Sequence, residues 1–372
     1  MNEINPAAVA TTVAWCGFAL AFLFGAVGNK TNFCTMGAVS DVVNMGDWGR
    51  MRMWLLAIAV AILGTSALQL AGVIDLSKSI YTGANFPWLS YLVGGLVFGV
   101  GMTLGSGCGS KTLIRIGGGN LKSLVVVVFL GIAAYATLKG LFGAFRVAVL
   151  DPVSVALSTG QDLPSLLAKA SGADKNAMLM FASALVAGLL LLFVFKDHEF
   201  RGNSDGILGG VIVGLVVVGG WYVSGKLGYL AEDPNTLQEA FVATNSGRME
   251  SLSFVAPQAY TLELLMFWTD KSKSVTFGIA SALGVVAGSA AYAVASGSFH
   301  WESFRDAGDT ANHMLGGVLM GFGGVTAMGC TVGQGISGVS TLALGSMLTF
   351  LSIVAGSALT MKWQYASMMQ EA

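Results

Sequence analysis

Apolar residues fall along this chain in long unbroken blocks, near residues 7–28, 53–74, 88–107, 123–143, 177–195, 206–225, 275–297, 313–329 and 339–361, with Lys139 the only formal charge inside any of them. Each block approaches or exceeds the roughly 20 residues a helix needs to cross about 30 Å of hydrocarbon. Within lipid every backbone amide must be paired internally, which admits only helices or a closed barrel. Continuous apolarity excludes the barrel, whose strands alternate. The pattern predicts an all-α polytopic membrane protein of about nine transmembrane helices. The first block lacks a basic leader and a small-residue exit, so it reads as a span rather than a cleaved signal. A shorter run, AYTLELLMFW at 259–268, contains Glu263 and reads as an interfacial or re-entrant helix within the unclear stretch 226–274.

Composition strengthens this picture. The 372 residues are 54% hydrophobic and 10% charged, against about 25% charged in soluble domains. Nineteen Lys+Arg balance 20 Asp+Glu, so no basic excess suggests a nucleic-acid partner. Across nine spans one side receives Lys30, Arg50, Arg52, Lys111, Arg115, Lys122, Lys196, Arg201, Arg305 and Lys362. The other has Lys78 in its short segments, with the rest of its cations in long loops. Short loops weigh most in the positive-inside rule. The expectation is an inner (plasma) membrane protein with its amino terminus outside and its carboxyl terminus in the cytoplasm.

An internal repeat refines the architecture. GGLVFGVGMTLGSGC (94–108) aligns without gaps on GGVLMGFGGVTAMGC (316–330), pairing Gly94 with Gly316, Gly95 with Gly317, Gly99 with Gly321, Gly101 with Gly323, Gly107 with Gly329 and Cys108 with Cys330. The copies occupy the third and eighth spans, an odd number of crossings apart, so they traverse the bilayer in opposite directions. The expected arrangement is an inverted repeat of four spans, one connecting span and four spans, with broken or re-entrant helices: one transporter domain over 1–372, with pseudo-repeats at 7–143 and 206–361 about a connecting span at 177–195. Inverted repeats place a substrate path at their interface.

Three of the four cysteines stand where an apolar helix meets a Gly-rich polar break: Cys34 in GNKTNFCTMG, Cys108 in GSGCGSK and Cys330 in MGCTVGQG. A break inside a membrane frees backbone groups and persists where it lines a cavity. Cys16 lies mid-span and reads as a small packing residue. Lys111 and Arg115 follow Cys108; they are either an anion-attracting mouth on the cytoplasmic side or snorkelling cations. Lys30 reads as interfacial. The equivalent stretch after Cys330 is neutral, and Thr331, Gln334 and Ser337 there either bond an anion or satisfy loose backbone. His198, His300 and His313 stand apart and read as solvated loop or helix-end residues. No zinc spacing, nucleotide loop, acyl-transfer triad or metalloprotease motif is present, and no cofactor is expected.

On FCTMGAVSD (33–41), GGLVFGVGMTLGSGCG (94–109) and GGVLMGFGGVTAMGCTVGQG (316–335) the chain resembles the YeeE/YedE family of membrane transporters for sulfur compounds. The resemblance implies an hourglass-like inverted-repeat fold that takes up thiosulfate. It further implies a stepwise path over one cysteine of each motif, here Cys34, Cys108 and Cys330. Gly107, Gly329, Thr331, Gln334, Lys111 and Arg115, which flank two of those cysteines, are the candidate supporting residues. A TusA-like sulfur-carrier protein is the implied cytoplasmic partner. A thiolate would repel a dianion, whereas a neutral thiol donates a weak S–H hydrogen bond, and weak binding at successive sites avoids trapping. Competing readings are a membrane sulfurtransferase working through a Cys persulfide, and a transporter of a selenium compound or a soft metal.

Overall fold

A computed structural model describes residues 5–234, 236–304 and 306–371; Arg305, counted above for orientation, lies outside them. The long helices are α1 (Pro6–Lys30), α3 (Gly49–Leu70), α4 (Trp88–Leu104), α6 (Leu121–Lys139), α9 (Lys175–Phe195), α11 (Ser204–Tyr222), α13 (Phe277–Ala295), α14 (Ala307–Thr326) and α15 (Leu344–Glu371). Shorter ones are α2 (Thr35–Ser40), α5 (Gly109–Gly117), α7 (Leu141–Phe145), α8 (Leu163–Ser171), α10 (His198–Gly202) and α12 (Ala256–Met266). Each predicted span corresponds to a long helix. Among the described residues eight helical runs are long and apolar enough to cross a membrane. The ninth, α14, has 20 residues but opens on the polar turn AGDTANH, so its apolar run starts only at Met314.

Local signals set the helix ends. Asn5 caps α1 through its side chain, with Pro6 in the first turn, and Asp174 caps α9, each side-chain oxygen accepting an otherwise orphaned N–H. The only extended segments among the described residues are two antiparallel pairs, Asn85–Phe86 with Val155–Ala156 and Tyr229–Leu230 with Ala240–Phe241, which tie loops together. The run expected as an interfacial or re-entrant helix is α12, packed on α6 and α13. Glu263 on it bonds both Lys139 and Lys273 at 2.7 Å, which accounts for the one charge inside a predicted span.

The long helices pair reciprocally: α1 with α13 and α3 with α11, α4 with α15 and α14 with α6. At the centre α4 and α14 cross antiparallel through their glycines. A Cβ on Gly94 would stand 2.8 Å from the Gly323 carbonyl oxygen, and one on Gly101 would stand 2.7 Å from that of Gly316. Under the offset of the sequence repeat Gly94 corresponds to Gly316 and Gly101 to Gly323, so each contact is the image of the other. The scarce Cβ atoms are what allow two backbones to meet without an intervening side-chain layer. Helix α9 lies outside this frame, against α3 and α8, with Met180, Phe181, Leu189 and Leu192 exposed as a lipid-facing side.

Candidate functional site: three cysteine breaks in a row

The three breaks share one backbone design. Asn32, Ser106 and Met328, each two residues before a cysteine, are left-handed with φ of 55°, 55° and 59°. The next amide reaches back to close the helix end: Phe33 N to Gly28 O at 3.1 Å, Gly107 N to Met102 O at 3.0 Å, and Gly329 N to Gly324 O at 2.7 Å. This is a helix C-terminal motif that favours glycine at the left-handed position. All three breaks carry a strained side chain there instead, at a cost of order 1 kcal/mol each. The chain then turns at Cys34 into α2, at Cys108 into α5, and at Cys330 into an irregular helix over 331–341.

Burial and bonding of the thiols follow from those turns. Cys34, Cys108 and Cys330 are 5%, 1% and 0% exposed, and all four cysteines are free thiols. The Cys34 sulfur accepts the Gly37 N–H at 3.3 Å. The Cys330 sulfur accepts the Gly333 N–H in the same way, also at 3.3 Å, and takes a second from Phe254 N–H at 3.3 Å. With its lone pairs so engaged, each S–H is left to donate elsewhere. Cys108 accepts no backbone amide; its sulfur lies 3.3 Å from Ser110 Oγ and 4.0 Å from Thr35 Oγ1.

These contacts order the row. Thr35, next to Cys34, touches Cys108. Phe254 donates its N–H to Cys330, while its carbonyl oxygen crowds Gly109, where a Cβ would stand 2.7 Å away. Cys108 therefore sits between the other two. Two cavities flank the row. One of about 240 Å³ is lined by Met328, Gly329, Ser253, Arg146 and Glu250. The other, about 710 Å³, is lined by Met36, Thr103, Ser106, Lys362 and Tyr365. The first opens at the carboxyl end of α14 and the second at the carboxyl end of α4. Because those helices are antiparallel, the cavities face opposite sides of the membrane.

Lys111 and Arg115 face inward. Lys111 is 7% exposed and its amine bonds the Asn32 side-chain oxygen at 2.6 Å. Arg115 bonds the Ser106 carbonyl at 2.6 Å. Each cation thus grips the left-handed residue of a break, and its partner is an amide or a carbonyl rather than a carboxylate. They stand at the cysteine row itself, not at an outer rim. Lys30 is interfacial, paired with Asp205 at 3.2 Å.

Gly107 and Gly329 are the residues between left-handed turn and cysteine. Gln334 packs its stem against Gly329 and donates to the Ala327 carbonyl, and Ser337 donates to Leu252 O at 2.8 Å. The hydroxyl of Thr331 and the Gln334 side-chain oxygen are buried without partners. Cys16 stays within α1, partly buried. The histidine expectation holds for exposed His198 and His300, but His313 is buried, bonded to the Asp309 carbonyl at 2.7 Å.

Two groups of contributors were missed by sequence reasoning. Arg50 pairs with Asp41, which is buried, beneath the Cys34 turn. Phe254 and Ser253 reach the site from the segment that had no clear pattern. Among the described residues no cluster of three or more His, Cys, Asp or Glu could hold a metal ion.

Buried thiols strung between two opposed cavities in an inverted-repeat helical frame define a membrane transporter. The chain matches the model of the sulphur transport family over residues 30–359 and belongs to that family, known as YeeE/YedE. It is 26% identical over 363 residues to the thiosulfate transporter TsuA of Spirochaeta thermophila, covering 94% of this chain and 98% of that protein. It is 27% identical over 329 residues to the protein of the same name from Escherichia coli K12, covering 84% of each. The protein is accordingly a transporter rather than an enzyme.

Proposed function

We propose that this protein takes up thiosulfate, or a closely related sulfur oxyanion, across the inner membrane, and that the ion passes from Cys330 to Cys108 to Cys34 through weak S–H hydrogen bonds. The observation that carries the reading is the row itself: three equivalent breaks, each presenting one buried thiol, between cavities on opposite faces. A soft terminal sulfur suits a thiol donor, and three weak stations let the ion move on. Lys111 and Arg115 hold the anion's charge in the Cys34–Cys108 half, where neither is spent on a carboxylate. Thr331 and Gln334 serve the Cys330 half with buried polar atoms that lack partners, while Gly107 and Gly329 keep side chains away from the approach to the thiols, Gly329 lining the cavity itself.

In this reading the Cys330 cavity is external and the larger one cytoplasmic, with the amino terminus outside and the carboxyl terminus inside. Pseudo-repeats at 7–143 and 206–361 then form the two halves, joined by the span at 177–195. The cytoplasmic cavity is the exit at which a TusA-like sulfur carrier would collect the product. The test is uptake of labelled thiosulfate, against sulfate and selenite, by cells whose only sulfur-anion importer is this protein. Accumulation of selenite or sulfate with none of thiosulfate would overturn the assignment.

A further inference from the structure

A third buried polar atom without a partner stands near Cys330, beside those of Thr331 and Gln334. Tyr81 is 2% exposed, and its Oη is buried without a hydrogen-bond partner. A buried donor left unsatisfied is expensive, and such groups call for an explanation. Packing gives none. The ring stands edge-on to Trp221 at 6.1 Å between centroids, a contact that phenylalanine would make equally well.

The surroundings of the hydroxyl point to a ligand. Tyr81 Oη and Ser253 Oγ converge on the bare Cα of Gly333, where an added Cβ would stand 3.4 Å from the first and 2.6 Å from the second. Gly333 is also the residue whose N–H fixes the Cys330 sulfur. Ser253 lines the cavity that reaches Gly329, the residue before Cys330. Two hydroxyls and a thiol are therefore gathered around Gly333, which as glycine lets both oxygens approach its backbone, and Ser253 joins this group to the cavity. An ionisable phenol titrates near 10, so at neutral pH Tyr81 is a donor.

We propose that Tyr81 is a specificity-determining residue of the Cys330 station: its hydroxyl donates to the oxyanion end of the substrate while the Cys330 thiol meets the sulfur end, with Ser253 as a second oxygen donor. The assignment rests on the sulfur-oxyanion reading above and adds a selection for oxygen. A thiol row alone does not distinguish a sulfur oxyanion from an oxygen-free sulfur anion. A neutral donor aimed at a buried anion gives stronger hydrogen bonding than one aimed at a neutral group, and Tyr81 provides it without adding a charge beside Cys330.

The decisive variant is Tyr81→Phe, which deletes one oxygen and keeps the ring. The apparent affinity for thiosulfate should weaken about 10- to 100-fold, as expected for a lost hydrogen bond to a charged group. Purified protein without thiosulfate should melt at the wild-type temperature or above it, because an unsatisfied donor has been removed from the interior. Thiosulfate should raise the melting temperature of the wild type and do so for Tyr81→Phe only at proportionally higher concentration. Unchanged affinity, or a melting temperature that falls in step with uptake, would overturn the assignment and leave Tyr81 a packing residue. Failure of the wild type itself to take up thiosulfate, or to be stabilised by it, would instead overturn the substrate reading on which this one rests.

Discussion

Replacing Cys330 by alanine separates what the thiol does for the fold from what it does for the substrate. Its sulfur accepts two buried N–H groups, from Gly333 and Phe254, and both lose their partner in Cys330→Ala. An orphaned buried donor costs about 1–3 kcal/mol, and sulfur is a weak acceptor, so the low end applies. The total is about 2 kcal/mol, roughly thirtyfold in a folding constant. Cys34→Ala orphans only Gly37 N–H, at about 1 kcal/mol. Cys108→Ala orphans no backbone amide, since Cys108 has only hydroxyl neighbours. Stability loss should thus rank Cys330 above Cys34 above Cys108, while transport is lost equally in all three. Cys330→Ser should recover most of the stability, because oxygen accepts an N–H bond, yet little of the transport. The assay pairs unfolding of purified protein in detergent with thiosulfate uptake at matched membrane abundance. Uptake losses that follow the stability ranking, or wild-type uptake in any of the three alanine variants, would refute the relay.

Cys16→Ala should leave uptake and expression near wild type, because Cys16 lies in a continuous helix away from the breaks; complete loss in a well-expressed protein would mean the choice among the four thiols is wrong. Replacing Lys111 and Arg115 together by Gln should weaken apparent affinity, with a smaller difference from wild type at high ionic strength where charges are screened, and an unchanged salt dependence of uptake would count against their role. Glu250, in the loop lining the smaller cavity with Arg146, Tyr260 and Ser246, has its carboxyl pushed by burial up to about 7. The folded state therefore keeps a proton that an unfolded carboxyl releases near 4.3, so this group's contribution to stability falls as pH rises between those values and is fully lost above the higher one. A negative Glu250 also opposes an incoming anion, so wild-type uptake should drop as external pH rises through about 7, and Glu250→Gln should flatten both profiles; identical pH curves for the two proteins would exclude Glu250 as the cause.

The spans were legible because a bilayer imposes a length and an apolarity that leave little freedom, and α1, α3 and α9 show this directly. The antiparallel crossing was legible too, since Gly94, Gly101, Gly316 and Gly323 are the residues that a backbone contact requires. The backbone design at the cysteines was not. Its defining residues are Asn32, Ser106 and Met328, three unrelated side chains in a left-handed conformation for which glycine is the usual signal. An alignment of GNKTNFC, MTLGSGC and GVTAMGC on their last residue shares only the cysteine and helix-ending spacing. The contributions of Tyr81, Ser253 and Phe254 were hidden for another reason. They arrive from irregular segments, 71–87 and 228–255, whose course is set by tertiary contacts such as the bridge between Ser79 and Met249 rather than by a local period. Lys111 and Arg115 were visible as charges, but their inward direction depends on the carbonyl and amide acceptors that the breaks expose.

The inversion of the fold is not matched by an inversion of charge, and that difference bears on how an anion would cross. An inward-moving dianion works against an inside-negative potential at about 4.6 kcal/mol per 100 mV. The half containing Cys330 offers neutral donors, Tyr81, Ser253 and Thr331, and the cation that lines its cavity, Arg146, is paired with Asp151 at 3.2 Å, while the half containing Cys34 and Cys108 carries Lys111 and Arg115 on an amide and a carbonyl. At an effective dielectric constant near 20, one cation about 6 Å from a dianion contributes about 5 kcal/mol. That attraction is of the same order as the opposing field, so in the proposed path the cations lower the energy of the anion within the Cys34–Cys108 half without creating a deep trap. The net work of crossing stays that set by the concentration gradient and the potential, because fixed charges change wells and barriers along a path and not the difference between its ends. Two equivalent backbone frames decorated with unequal charge thus make the stations of the row unequal, while the direction of net uptake belongs to the gradients.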